Sequence, residues 1–119
     1  MTRRVIINGF EPVSRKESPV WSPIARKRFE VWTFNNDTRL IPLSVRHFEM
    51  HELTCYSDGA VDDASPDEKY LSLLSQGIGV PVYHLRETEE IAGSVAYPLG
   101  KMVERFGAYF TNSISYMLA

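Results

Sequence analysis

The C-terminal third of the chain carries its widest apolar stripe. At 100° per residue, eight apolar residues between Glu87 and Phe110 fall on one arc of a helical wheel: Ile91, Val95, Leu99, Met102, Val103, Phe106, Tyr109 and Phe110. A stripe of this width has to be buried against another element. Thr88 can cap a helix, and Pro98 should kink it near Tyr97. The pattern therefore predicts a long kinked helix over 88–110 that covers the rest of the fold.

The chain before this stripe contains a predicted β-hairpin. Residues 28–34 (RFEVWTF) alternate, and both sets of alternate side chains are substantially apolar, which is typical of a strand covered on both faces. Asn35-Asn36-Asp37 is a strong turn signal, because Asn and Asp tolerate left-handed backbone angles. Residues 39–45 (RLIPLSV) would then return as the antiparallel partner. The prediction is a hairpin over about 28–45.

Shorter elements complete the predicted fold. Residues 4–7 and 78–85 resemble strands, and 113–118 could be a last strand or the end of the long helix. The proline-rich segment before residue 28 should be extended or looped. Residues 47–56 fit both a strand and a helix, with a narrow preference for a strand. Ser65-Pro66-Asp67-Glu68 resembles a capping box that opens a helix over 66–76.

Together these elements predict a single α+β domain over 1–119. Its sheet would be mainly antiparallel and built on the hairpin. The short helix 66–76 and the long C-terminal helix 88–110 would cover one face.

Composition narrows the functional classes. The chain has 119 residues, a formal net charge of −2 and a single cysteine. No bulk attraction to nucleic acid or to an anionic membrane is expected, although nucleic-acid binding is not excluded. One cysteine rules out an internal disulfide and fits a reducing compartment. No apolar run has the length of a signal-peptide core or a membrane span, so we expect a soluble cytoplasmic protein.

Four metal-ligating or nucleophilic residues form the most suggestive chemical pattern: His47, His51, Cys55 and His84. The first three are spaced by four residues, so on a helix they would share a face, whereas on a strand four residues span roughly 13 Å. No CxxC or HExxH spacing accompanies them. Ordinary packed or solvated residues are the favoured interpretation, and no metal or cofactor is predicted. A thiol- or metal-dependent hydrolase is the enzymatic alternative.

Charge is segregated along the chain. Positively charged residues are concentrated in the first 28 residues, where Trp21 also lies. Acidic residues are concentrated after residue 57. The candidate binding residues are Trp21, Arg15, Lys16, Arg26, Lys27, Arg28, Asp58, Asp62 and Asp63. Such a distribution suits docking onto another protein or self-association.

Three glycines recur every seven residues within the predicted long helix. Gly93, Gly100 and Gly107 would lie on the face opposite the apolar stripe and allow another helix to approach closely. Packing within the fold, or a homo-oligomer formed through this face, would explain them. The alternative is that Gly100 relieves the kink at Pro98 and that the other two glycines cap short helices.

No family resemblance is evident, and the leading functional hypothesis is a non-enzymatic protein-binding module. A stoichiometric inhibitor or accessory factor would fit this description, and the small size suggests a phage or mobile-element origin. The alternatives are the hydrolase built on His47, His51, Cys55 and His84, and a structural subunit of a homo-oligomer.

Overall fold

The strands form one parallel sheet, so the predicted antiparallel α+β fold is wrong. A computed structural model describes residues 3–8, 16–57, 67–107 and 113–118. Within them five strands lie in sequence order, and each neighbouring pair is parallel. The strands are β1 (Val5–Ile7), β2 (Glu30–Phe34), β3 (Arg46–Glu49), β4 (Val82–His84) and β5 (Ser94–Ala96). The fold class is therefore α/β.

Short helices occupy much of the described chain between and after the strands. They are α1 (Pro23–Arg28), α2 (Thr54–Ser57), α3 (Glu68–Gln76), α4 (Leu99–Phe106) and α5 (Ser113–Leu118). Two 3₁₀ turns add Pro19–Trp21 and Ile41–Leu43. Among the described residues, no helix has the length and apolar character needed to cross a bilayer.

The predicted hairpin fails after its turn. Asn35 does take a left-handed conformation, with φ of 54°, and its amide donates to the carbonyl of Phe48. The following residues do not pair back onto β2. They cross one face of the sheet through the 3₁₀ turn Ile41–Leu43, and Val45 leads into β3 parallel to β2. Buried Leu40 and Ile41 hold this crossover against the core.

The predicted long helix 88–110 is also absent. Its first part is a loop followed by strand β5, and Pro98 occupies the N-cap position of α4. Gly107 ends α4 with φ of 77°. Gly93 lies in the turn before β5, so the three spaced glycines do not share a helical face. Tyr109 and Phe110 of the predicted stripe lie outside the described residues.

Several local predictions agree with the structure. The strand predicted over 28–34 is observed as β2, an interior strand covered on both faces. The helix predicted over 66–76 is observed as α3, with Asp67 rather than Ser65 at the N-cap. The ambiguous segment 47–56 contains both structures, because β3 ends at Glu49 and α2 begins at Thr54. By contrast, the prediction that the proline-rich segment is extended or looped is wrong for residues 19–28. Pro19–Trp21 is a 3₁₀ turn, and Ser22 caps α1, whose first position Pro23 occupies without losing a helical hydrogen bond.

The two faces of the sheet differ in chemistry. One face is aromatic: the rings of Trp32, Phe48 and Tyr83 follow one another across it, and Met117 of α5 packs against this cluster. The crossover segments cover the other face, as expected when consecutive parallel strands are joined by crossovers of one hand. Its apolar clusters are formed by eleven buried residues: Ile6, Val20, Val31, Leu40, Ile41, Leu53, Tyr56, Tyr70, Leu74, Val82 and Ile91.

Replacing Leu74 by Ala should destabilise the protein by about 2–5 kcal/mol, because this α3 side chain is fully buried in the core. The free energy of unfolding in urea measures the loss. Leu118→Ala is the matched control: Leu118 is 73% exposed, so its truncation should change stability by less than about 0.5 kcal/mol. Equal losses for the two variants would contradict the packing of α3.

Candidate functional site at the edges of the sheet

A buried glutamate lies at the carboxyl end of the central strand. Glu49 is the last residue of β3, and it is 0% exposed. In open parallel sheets ligand sites are commonly found at this edge, because the strand ends and their loops converge there. His84, the register partner of Glu49 on β4, contacts the Glu49 main-chain carbonyl through its Nδ1 atom. The edge therefore contains polar groups in a largely apolar core.

Three hydrogen bonds converge on the Glu49 carboxylate. Tyr70 of α3 donates its hydroxyl proton to Oε1 over 2.9 Å. His51 approaches the second oxygen, Oε2, with both its ring Nδ1 at 2.9 Å and its main-chain amide at 3.2 Å. Burial of a carboxylate is costly unless its lone pairs are satisfied, and these donors satisfy both oxygens.

The hydrogen-bond chain continues from Tyr70 into the sheet. His47 Nε2 lies 2.8 Å from the Tyr70 hydroxyl, and His47 Nδ1 lies 2.7 Å from the hydroxyl of Thr33. The carboxylate is the stronger acceptor for the single Tyr70 proton. We therefore infer that His47 donates from Nε2 to Tyr70 and accepts at Nδ1 from Thr33, which is the neutral form of the ring.

The pKa values of His47 and His51, the histidines on either side of Glu49, are shifted in opposite directions. Burial lowers the pKa of His47 to about 4, although the Glu49 charge and the Asn35 carbonyl act in the opposite sense. The hydrogen bond to Glu49 raises the pKa of His51, whose side chain is 47% exposed. Burial, followed by the Glu49 charge, also raises the pKa of Tyr56 and of Tyr70. The site thus combines an inner imidazole that burial keeps neutral at physiological pH with an outer imidazole that is protonated more readily than usual.

The four residues singled out as possible ligands or nucleophiles do not assemble into a metal centre. Within the described parts of the chain, no group of three His, Cys, Asp or Glu side chains is placed to hold a metal ion. Both ring nitrogens of His47 are already engaged by Thr33 and Tyr70. Burial, with the Glu49 charge adding to it, raises the pKa of the Cys55 thiol, which opposes thiolate formation.

Three of the predicted basic residues lie at the opposite, amino-terminal edge of the sheet. Arg26, Lys27 and Arg28 form the last turn of α1, which leads directly into β2. An open groove of about 530 Å³ is lined by these residues with Arg3, Arg4, Phe29, Glu30 and Val45. We call this the basic groove. Its position follows from the parallel topology, which brings the starts of β1, β2 and β3 together.

The cations of the basic groove are unequally engaged. Arg3 forms an ion pair with Glu30 at 3.1 Å, and Arg26 donates to the Val20 carbonyl at 2.6 Å. Among the described residues, Arg4, Lys27 and Arg28 form no ion pair. Glu30 also contacts Arg46 and accepts from Trp32 Nε1, so its carboxylate has little capacity left to neutralise them.

The remaining predicted binding residues are dispersed or undescribed. Trp21 is 37% exposed, and the Arg39 guanidinium lies 5.5 Å from its ring centroid. Lys16 is exposed. The other four predicted binding residues lie outside the described part of the chain: Arg15, Asp58, Asp62 and Asp63.

Comparisons with known proteins find no match for this chain. No family model matches it, and no curated protein or solved structure shows significant similarity. Function is therefore inferred from the residues and geometry of the two edges.

Sequence reasoning missed the residue at the centre of the buried site. Glu49 lies within the ambiguous segment 47–56 and Tyr70 within the predicted helix 66–76, and neither was singled out as a candidate site residue. The available signal was the alternation of His47, Glu49 and His51, since side chains two apart on a strand share a face. Nothing in the sequence showed that α3 covers that face.

Acid should weaken the fold through His47. Its folded-state pKa of about 4 lies below the unfolded value of about 6.5, so the stabilisation is complete above pH 6.5 and is lost as pH falls through about 4. The loss should reach roughly 3 kcal/mol in unfolding free energy.

His47→Gln tests this assignment by urea unfolding at neutral and acid pH. The variant should be less stable at neutral pH, since Gln reproduces the two hydrogen bonds imperfectly, but its stability should fall less steeply in acid. An unchanged slope would show that other groups cause the acid sensitivity.

Proposed function

We propose that this chain is a small non-enzymatic binding module that holds an acidic segment of another protein in the basic groove. The observation that carries the proposal is that Arg4, Lys27 and Arg28 line this groove and form no ion pair with any residue in the described part of the chain. Unpaired cations on one surface steer an oppositely charged partner and select against like-charged ones. A stoichiometric inhibitor or an accessory factor would act in this way.

An acidic protein segment suits the groove better than nucleic acid does. Phe29 and Val45 contribute apolar surface between the cations, which favours a partner that combines carboxylates with an apolar side chain. The groove is local, and the whole chain carries a net charge of −2, which would repel an extended phosphate backbone. Partner recognition would then depend on a few charge-assisted hydrogen bonds from arginine.

The hydrolase alternative has weaker support. His47, Glu49 and His84 are almost completely buried, so a substrate would reach none of them without rearrangement. The Cys55 thiol is disfavoured as a nucleophile because burial raises its pKa. His51 is the exposed member of this group, and its imidazole already contacts Glu49 through Nδ1.

Reversing the charge of the basic groove should abolish partner capture. Lys27→Glu/Arg28→Glu replaces two cations of the groove by carboxylates and should weaken binding by at least about tenfold, since charge-assisted contacts contribute about 1.5–3 kcal/mol each. The immobilised variant is compared with the natural chain for capture of proteins from nuclease-treated native extract. Captured proteins are identified and purified, and the affinity of each for the natural chain and for the variant is then measured by titration.

The matched control is Lys69→Glu/Lys101→Glu, which makes the same change in net charge at exposed positions that do not line the groove. Lys27→Gln/Arg28→Gln serves as a milder groove variant, because new carboxylates near the end of α1 oppose its helix dipole. A partner captured equally by the groove and control variants would overturn the proposal. Capture that disappears with nuclease would favour nucleic acid instead.

A further inference from the structure

Four aromatic rings near Glu49 contact one another in a series that runs from the surface to the core. His51 meets Tyr56 edge-on with ring centroids 6.3 Å apart, Tyr56 meets Tyr70 at 5.0 Å, and Tyr70 meets His47 at 6.0 Å. We call these four rings the aromatic collar. Edge-to-face pairs of this kind add to packing energy and restrict ring rotation. The collar therefore connects an exposed imidazole to the buried centre of the sheet.

Glu49 depends on His51 for charge compensation. Within the described chain, its side chain forms an ion pair with His51 and with no Lys or Arg. Burial keeps His47 neutral at physiological pH, because its pKa is about 4. When His51 loses its proton, the neutral ring can still donate one hydrogen bond, but the enclosed carboxylate has no positive partner among these contacts. Leaving a buried charge uncompensated is strongly unfavourable.

The collar is tied to the segment that joins β3 to α3. The Tyr56 carbonyl accepts from the Asp67 amide at 2.8 Å. Asp67 in turn caps α3 by accepting from the Tyr70 amide at 3.1 Å, and its other oxygen accepts from Asn36 at 2.9 Å. A displacement of His51 and Tyr56 would therefore perturb the hydrogen bonds of Asp67 at the N-terminal end of α3.

We propose that His51 and Glu49 form a pH-sensitive latch that fastens residues 51–57 to the sheet when His51 is protonated and loosens this segment when His51 is neutral. The latch lies at the carboxyl-terminal edge, so it is independent of the basic groove and of the function proposed for that groove.

The direction of the effect follows from linkage. Because folding raises the pKa of His51, its stabilising contribution is fully present below the unfolded value of about 6.5. The contribution is lost as pH rises through the elevated folded-state value. The latch is therefore closed in mild acid and open in base, opposite in sense to the acid sensitivity caused by His47.

Four other titratable groups near the latch, His47, Cys55, Tyr56 and Tyr70, have pKa values displaced away from the range of His51. From β3, α2, α3 and β4, the groups around the collar are His47, Glu49, Cys55, Tyr56, Asp67, Tyr70 and His84. Burial holds His47 neutral and keeps both tyrosines protonated, since their pKa values are raised. The Cys55 pKa is raised as well, so its ionisation belongs to more alkaline conditions. The nearby Glu52 carboxylate is held by a bidentate contact with Arg86.

Nuclear magnetic resonance tests the latch on the whole chain. The ring carbon-bound protons of His51 and the amide signals of Tyr56 and Asp67 are followed from about pH 5 to about pH 9, the range in which histidines titrate. The His51 ring should titrate above its ordinary value. The Tyr56 and Asp67 amides should move with the same midpoint.

Two variants separate the latch from general pH effects. His51→Gln should remove the shared midpoint from the Tyr56 and Asp67 amides. Glu52→Gln alters an exposed neighbouring carboxylate and should leave that midpoint in place. Glu49→Gln should lower the His51 midpoint, and His51→Gln decides the question if the Glu49 variant does not fold.

Two results would overturn the latch. One is a His51 ring that titrates at or below its ordinary value. The other concerns the amide signals of Tyr56 and Asp67. The latch is overturned if these signals do not change with the His51 midpoint in the natural chain, or if they still change with that midpoint in His51→Gln. Neither result would bear on partner capture by the basic groove, since that experiment depends on Lys27 and Arg28.

Discussion

A carboxylate enclosed by protein is the constraint around which the centre of this molecule is arranged. Glu49 is the last residue of the middle strand and is fully buried, so its two oxygens require hydrogen-bond donors inside the fold. Tyr70 reaches it from α3, and His51 reaches it from the turn that follows β3. These polar contacts hold the strand, the turn and the helix in one relative position. Their loss would leave a buried charge without a partner.

The parallel sheet separates two kinds of chemistry. At its carboxyl-terminal edge the Glu49 carboxylate is buried, and within the described chain its ion-pair partner is the partly exposed His51. Its amino-terminal edge gathers Arg4, Lys27 and Arg28 around an open groove. Because all five strands are parallel, the residues that precede each strand lie at one edge of the sheet and the residues that follow each strand lie at the other. The basic groove and the buried site consequently lie at opposite edges of the sheet.

The errors in the predicted fold arise from signals that two topologies share. Asn35 adopts the turn conformation that its residue type favours, yet such a turn opens a crossover as readily as a hairpin. Both faces of β2 are apolar, and this pattern is typical of strands in a parallel sheet. Pro98 was expected to kink a helix, but it begins one, a position where its missing amide donor costs little. In each case the local conformation was predictable, whereas its continuation was not.

The two candidate sites differ in how far sequence could reveal them. Arg26, Lys27 and Arg28 are consecutive, so their positive charge is concentrated whatever the fold. Glu49, Tyr70 and His84 are far apart in the chain, and only the packing of α3 and the pairing of β4 bring them together.

The sequence by itself determined the local features of this protein: the interior strand β2, the capped helix α3, the turn at Asn35 and the concentration of positive charge at residues 26–28. These depend on side-chain periodicity, caps and backbone preferences within a few residues, which act in any context. The tertiary structure alone decided strand direction, the division of the C-terminal stripe into β5 and α4, and the enclosure of Glu49. Those outcomes depend on contacts between distant segments, and no short window of sequence contains both partners of such a contact.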